Sequence, residues 1–143
     1  MNNLQSHVGR FLVAAVLATA CSGGLSAGPN RVQAAEPTLQ DQGDALMKNI
    51  EEMMGHGGMG DAKAIVHHCE AAAGYAEAIL TQLPDSDPRR SQAQAPLSEV
   101  VRQCKRVTAI GVHADPGQLL NPASKAKAAA RESIKVLGLV KAN

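Results

Sequence analysis

Residues 61–83, DAKAIVHHCEAAAGYAEAILTQL, place apolar side chains at Ile65, Cys69, Ala72, Ala76, Ile79 and Leu83, a spacing of 4, 3, 4, 3 and 4. That spacing keeps them on one stripe of an α-helix and is the seam of a left-handed helical bundle. Residues 93–111 repeat it with Ala93, Leu97, Val100, Cys104, Val107 and Gly111. Asp87 followed by Pro88 opens this second segment as N-cap and first helical residue. Pro96 interrupts its pattern and predicts a kink, or a helix that begins at Pro96.

Two further segments flank the pair. Thr38 to Met54 carries Leu39, Leu46, Ile50 and Met53 on one face, and Gly55-His56-Gly57-Gly58-Met59-Gly60 is expected to end it. Asn121-Pro122 is expected to open the last segment, which runs to about Lys141 with Ala126, Ala130, Ile134 and Leu137 inward. Four helices joined by connections of about four to nine residues predict an all-α fold, an up-down-up-down antiparallel four-helix bundle over residues 38–142.

The segment ahead of the bundle reads as an export signal over residues 1–21. Arg10 precedes the apolar run Phe11 to Ala20, which at ten residues is too short to span a bilayer. Leu17-Ala18-Thr19-Ala20-Cys21 resembles a bacterial lipobox, in which Cys21 is lipidated and becomes the new N-terminus. Cleavage after Ala20, or after Val32-Gln33-Ala34, is the alternative. Residues 22–37, with Gly, Ser and Pro, then form a flexible tether. The expected location is the periplasm, with a membrane tether where Cys21 carries lipid.

Composition narrows function. The chain has one Phe, one Tyr and no Trp. Readers of nucleic acid by base stacking need several rings, so that class is excluded. Lysine and arginine number 14 against 13 acidic residues, a balance unlike that of a polyanion binder. No nucleotide loop or hydrolase signature is present. The absence of Cys-x-x-Cys-His rules out covalent haem, and the last segment has no His to complete a b-type site. A narrow Ala-rich bundle leaves little room for the desolvated pocket that acid–base catalysis needs, so no enzyme is expected.

An Ala-rich core buries little apolar area per residue and calls for reinforcement. With Cys21 lipidated or removed, Cys69 and Cys104 remain as a pair in an oxidising compartment. They lie about equally far from the intervening turn, so an antiparallel pair of helices brings them to one level at ~1.5 Å rise per residue. A disulfide is the expected outcome; buried free thiols and thiolate metal ligation are the alternatives. Charge divides along the chain: residues 36–87 hold ten acidic residues and two lysines, a balance of −8. From Pro88 onward ten basic and three acidic residues give +7. Either the two halves complement each other inside one bundle, or they support dimerisation or contact with an anionic surface.

One end of the bundle collects Met53, Met54, His56, Met59, Asp61, His113 and Asp115. Imidazole, thioether and carboxylate together suit copper, and imidazole also accepts nickel and zinc. His67 and His68 follow about two turns into the second helix and diverge by ~100°, so they cannot readily share one ion. The run Gly60-Asp61-Ala62-Lys63-Ala64-Ile65-Val66-His67-His68-Cys69-Glu70-Ala71-Ala72 resembles the small metal-binding protein family of exported bacterial four-helix bundles. Members of that family carry repeated Gly-His-Ala…His-Ala-Glu-Ala-Ala segments. The resemblance spans roughly Leu46–Leu137 and implies periplasmic binding of copper and other divalent metals. It assigns His68 to the helical histidine, His56 to that of the preceding loop, and His113-Ala114-Asp115 to the matching loop of the second half. Asp61 stands where the family has His, and the last segment has no His, so a reduced metal capacity is implied.

The expected function is a non-catalytic exported metal-binding bundle, copper first, then nickel or zinc. His56 and His113 are the expected imidazole ligands, Met59 the soft ligand, Asp61 or Asp115 the carboxylate, and His67 and His68 secondary ligands. The alternative is a disulfide-stapled bundle with a structural, adaptor or envelope-stress role and no metal.

Overall fold

The computed structural model describes residues 36–139. The export signal, Cys21 and most of the tether, as well as the chain after Leu139, lie outside the described residues. Four helices follow one another: α1 (Leu39–Met59), α2 (Ala62–Gln82), α3 (Pro88–Ile110) and α4 (Pro116–Leu137). Each packs on its sequence neighbours and α4 returns to α1, so they form a closed ring of antiparallel helices. Among the described residues no helix is long and apolar enough to cross a membrane.

The seam residues of α2 are all buried: Ile65, Cys69, Ala72, Ala76, Ile79 and Leu83. On α3, Ala93, Leu97, Val100, Cys104 and Val107 join them, while Gly111 caps the helix end instead of packing in the core. Leu46, Ile50 and Met53 of α1 and Ala126, Ala130, Ile134 and Leu137 of α4 complete the interior, as their spacing predicts. Leu39 is only partly buried, because it is the first residue of α1.

Helix starts are set by side-chain caps. Thr38 Oγ1 accepts the amide of Asp41 at 3.1 Å, and the Asp41 carboxylate accepts the Thr38 amide at 2.9 Å, a reciprocal capping box. The Thr38 hydroxyl, which donates to Asp41 Oδ2 at 2.7 Å, and after it the Thr38 amide hold the Asp41 carboxyl below its usual range. Asp61, Asp87 and Asp115 each accept a backbone amide of the following turn, from Ala64, Arg89 and Gly117. The Arg89 guanidinium and amide on Asp87 bring that carboxyl down to about 2. The two arginines that follow Pro88 close other helix ends. Arg89 donates to Leu137 O at 3.1 Å, and Arg90 donates to Leu80 O at 2.6 Å and to Leu83 O. Both place positive charge on C-terminal carbonyls, where the helix dipole favours it.

Two expected boundaries are corrected. First, α1 does not stop at Met54. It runs through Gly55, His56, Gly57 and Gly58 to Met59, and ends on Gly60 in the left-handed conformation at φ 76°. The amides of Gly60 and Asp61 close the end on Gly57 O and His56 O. The reason is tertiary packing. Gly57 is buried, and a Cβ built on it would lie 2.6 Å from Leu120 Cδ2 of α4. Gly43 does the same at the other end of the seam, where a Cβ would stand 2.8 Å from Leu139 Cδ1. These glycines let α1 close on α4.

Second, α4 begins at Pro116, with Asp115 as its cap, and not at Asn121-Pro122. Asp115-Pro116 supplies the same start signal one and a half turns earlier, and the added turns bury Leu119 and bring Leu120 to Gly57. Pro122 is carried inside the helix. As Asp87-Pro88 predicts, α3 starts at Pro88, and it passes through the buried Pro96 as one helix instead of beginning there. The connections are therefore shorter than expected at the His56 end: only Gly60 and Asp61 separate α1 from α2.

Because Gly55 and Gly58 face open space while Gly57 meets Leu120, the three glycines should respond oppositely to alanine. Gly55→Ala is expected to stabilise by about 0.4–1 kcal/mol, by narrowing the unfolded ensemble. Gly57→Ala should destabilise by ~0.5–1.5 kcal/mol, because the end of the half-buried Leu120 side chain must leave its rotamer to make room. Urea unfolding of the two variants checks this; a stabilising Gly57→Ala would contradict the close approach of α1 and α4.

Candidate functional site

The continuation of α1 through Gly55 determines which side chains meet. Asn49, Glu52 and His56 are three and four residues apart and form one stripe along α1. His68 of α2 lies against that stripe. Its ring stacks on His56 with centroids 5.3 Å apart and planes 17° from parallel. The His68 side chain is 16% exposed and that of His56 35%, so the pair sits at the rim of the helix interface.

The protonation pattern of His68 follows from its neighbours. The Asn49 side-chain amide donates to Ala45 O at 2.9 Å, which turns its oxygen toward α2. His68 Nδ1 lies 3.1 Å from that oxygen and 3.4 Å from Glu52 Oε2. Two acceptors therefore face Nδ1, so the neutral ring carries its proton there and leaves a lone pair on Nε2. His56 has a similar, looser arrangement, with Nδ1 3.9 Å from Asp61 Oδ2. An imidazole whose Nδ1–H is held by a carboxylate or carbonyl is oriented as metal-ligating histidines are.

The remaining sequence candidates separate from this pair. His67 is exposed, with its ring edge-on to His68 at 5.2 Å. Met59 is the last residue of α1 and 72% exposed, so it is not directed at the pair. Asp61 is engaged as the cap of α2 through Oδ1, with only its second oxygen toward His56. Asp115 caps α4, its Oδ1 accepting the Gly117 amide at 2.7 Å. His113 is exposed in the connection between α3 and α4 and joins neither histidine of the stack in an aromatic contact. Met53 is buried in the core and Met54 packs partly against it. Among the described residues, no group of three or more His, Cys, Asp and Glu side chains is disposed as it stands to hold a metal ion.

Glu52 and Asn49 were not candidates in the sequence. Their signal, the spacing to His56, exists only if the glycine run is helical.

Cys69 and Cys104 meet in the core between α2 and α3, both buried, with Sγ atoms 2.6 Å apart. The contact with Cys104 and, after it, burial push the Cys69 thiol well above its ordinary range. A free thiolate is strongly disfavoured there.

Comparison of the chain with family models, with curated proteins and with solved structures finds no match.

The Asn49 and Glu52 contacts generate a direct expectation: the neutral His68 ring is in the Nδ1–H tautomer, visible in long-range nitrogen–proton spectra. A predominant Nε2–H form would show that these acceptors do not orient the ring.

Proposed function

We propose that the protein is an exported, non-catalytic metal-binding bundle that takes a divalent late transition ion, copper first, on His56 and His68. The observation carrying this reading is the stacked pair, with His68 Nδ1 on the Asn49 oxygen at 3.1 Å, which leaves its Nε2 to coordinate, and His56 alongside it. Two neutral imidazoles form a donor set that suits Cu(II), Ni(II) and Zn(II). Glu52, one turn before His56 on the same stripe, supplies a carboxylate oxygen. Asp61 supports His56 from outside the ion's immediate ligands. On this reading the half-buried His56 side chain rotates to turn a ring nitrogen toward the ion, while His68 keeps its Nδ1 contacts. The ligand set thus moves from the bundle end, where His113, Met59 and Asp115 were expected, to the interface of α1 and α2. Export and lipidation at Cys21 belong to the same proposal and rest on the sequence alone.

A second reading, a bundle with a structural or adaptor role and no metal, is favoured by the cysteine pair. Facing thiols on neighbouring helices are placed to become a disulfide in an oxidising compartment, and such a bond contributes roughly 3–4 kcal/mol.

Calorimetric titration of the oxidised protein with Cu(II), Ni(II) and Zn(II) separates the two. The metal reading predicts saturable binding that weakens at about pH 5.5, where imidazole takes up a proton. His56→Ala and His68→Ala should each reduce affinity by about tenfold or more, and His113→Ala should leave it unchanged. A combined loss below about threefold in the His56→Ala, His68→Ala protein would overturn the site. Flat titrations, with an intact mass two hydrogens short of the dithiol, would favour the structural reading.

A further inference from the structure

Between α2 and α3 runs a groove of about 460 Å³. Glu70, Ala73 and Glu77 stand on its α2 wall, and Cys104, Lys105 and Thr108 on its α3 wall. Lys105 and Glu77, both exposed, join the two walls at 3.4 Å. An exposed pair of this kind contributes little to stability and holds the walls together only loosely.

The groove distinguishes two residues that are otherwise alike. Cys69 and Cys104 are both buried and face each other across the α2–α3 interface. Cys104 belongs to the groove wall, and Cys69 does not. Ala73 follows Cys69 by one turn and Thr108 follows Cys104 by one turn, so each stands on the same helix face as its cysteine. Their side chains are small and leave the groove open beside Cys104. An approach from solvent therefore leads to Cys104 and stops short of Cys69.

We propose that the cysteine pair is an exchangeable redox centre that small disulfides reach through this groove, with Cys104 as the entry thiol and Cys69 as the resolving thiol. The inference rests on the disulfide reading above and adds a route and a direction: the bond closes in the folded protein, starting at Cys104. In the first step Cys104 gives its proton to solvent and its thiolate attacks one sulfur of the external disulfide. The external S–S bond breaks, and the departing half takes up a proton as a thiol. Cys69 then loses its proton and attacks Cys104 Sγ, which breaks the mixed disulfide and releases the second half as a thiol. The external disulfide is reduced to two thiols by the same two electrons that the protein dithiol gives up. Two carboxylates against one ammonium leave the groove with negative charge in excess, which favours a cationic disulfide over an anionic one.

The full chain carrying Cys21→Ser, reduced and kept with chelator so that metal-catalysed oxidation is excluded, is treated with cystamine and followed by intact mass and peptide mapping. A further Cys69→Ala substitution should leave Cys104 to accumulate a cysteamine adduct about tenfold or more faster than Cys69 does in the Cys104→Ala chain. The Cys104 rate should be the same without urea and in urea well below the unfolding transition, because it needs no unfolding. Thr108→Leu, an exposed position that leaves the core untouched, should slow it by about threefold or more by filling the groove. Cystamine should outpace the anionic dithiodiglycolate in about 0.01 M salt, and the difference should shrink in about 1 M. With both cysteines present the adduct should give way to a mass two hydrogens short of the dithiol. Equal labelling of the two cysteines, a Cys104 rate that climbs with urea as unfolding does, or indifference to Thr108→Leu would overturn the proposal while leaving a structural disulfide in place. Adducts that persist with both cysteines present, with no closure, would overturn the disulfide reading together with it.

Discussion

The contact of Gly57 with Leu120 holds the rest of this structure in register. It is the point at which α1, running out through a stretch of glycines, lies close enough to the first turns of α4 to close the ring. A side chain at Gly57 would occupy the space taken by Leu120 Cδ2. Without that contact the glycines have no reason to stay helical, since each costs ~1 kcal/mol relative to Ala in a helix interior. With it, α1 keeps its turn through His56, and His56 falls one turn beyond Glu52 and opposite His68. A packing constraint between two helices thus sets the geometry of polar groups between another two.

The polar groups of the molecule are distributed in a consistent way. Its helix-starting carboxylates, Asp61, Asp87 and Asp115, are engaged by backbone amides, and Arg89 and Arg90 by helix-terminal carbonyls. These short-range tasks compensate for a core of Ala, Val, Ile and Leu that contains no buried ring. Two groups not taken up this way stand out: the stacked imidazoles with Glu52, and the facing thiols of Cys69 and Cys104. The first supports a proposal about ligand and the second one about covalent reinforcement.

Much of the fold is legible in residues 61–83 and 93–107, because their apolar spacing is set by the helical repeat alone and every position in those two stripes is buried. The N-cap Asp87 is legible for the same reason, since capping is decided by the residue and its next two or three neighbours. The end of α1 and the start of α4 are not. Glycine propensity says stop, Asn121-Pro122 says start, and both are overridden by one long-range contact between residues 57 and 120. The candidate site inherits that limit. His56 and His68 are visible as chemistry in the sequence, but their partners Asn49 and Glu52 become visible only when the helix is known to continue past Gly55. His113 and Asp115 are placed by sequence at the same end of the bundle, which is a coarser statement than contact.

The central claim is that His56 and His68, brought together across α1 and α2, bind one metal ion. Electron paramagnetic resonance of the protein loaded with one equivalent of Cu(II) tests it most directly. The account predicts a single type of copper centre with hyperfine coupling to two imidazole nitrogens, reduced to one in either His56→Ala or His68→Ala. A spectrum unchanged by both substitutions, or altered only by His113→Ala, would contradict it.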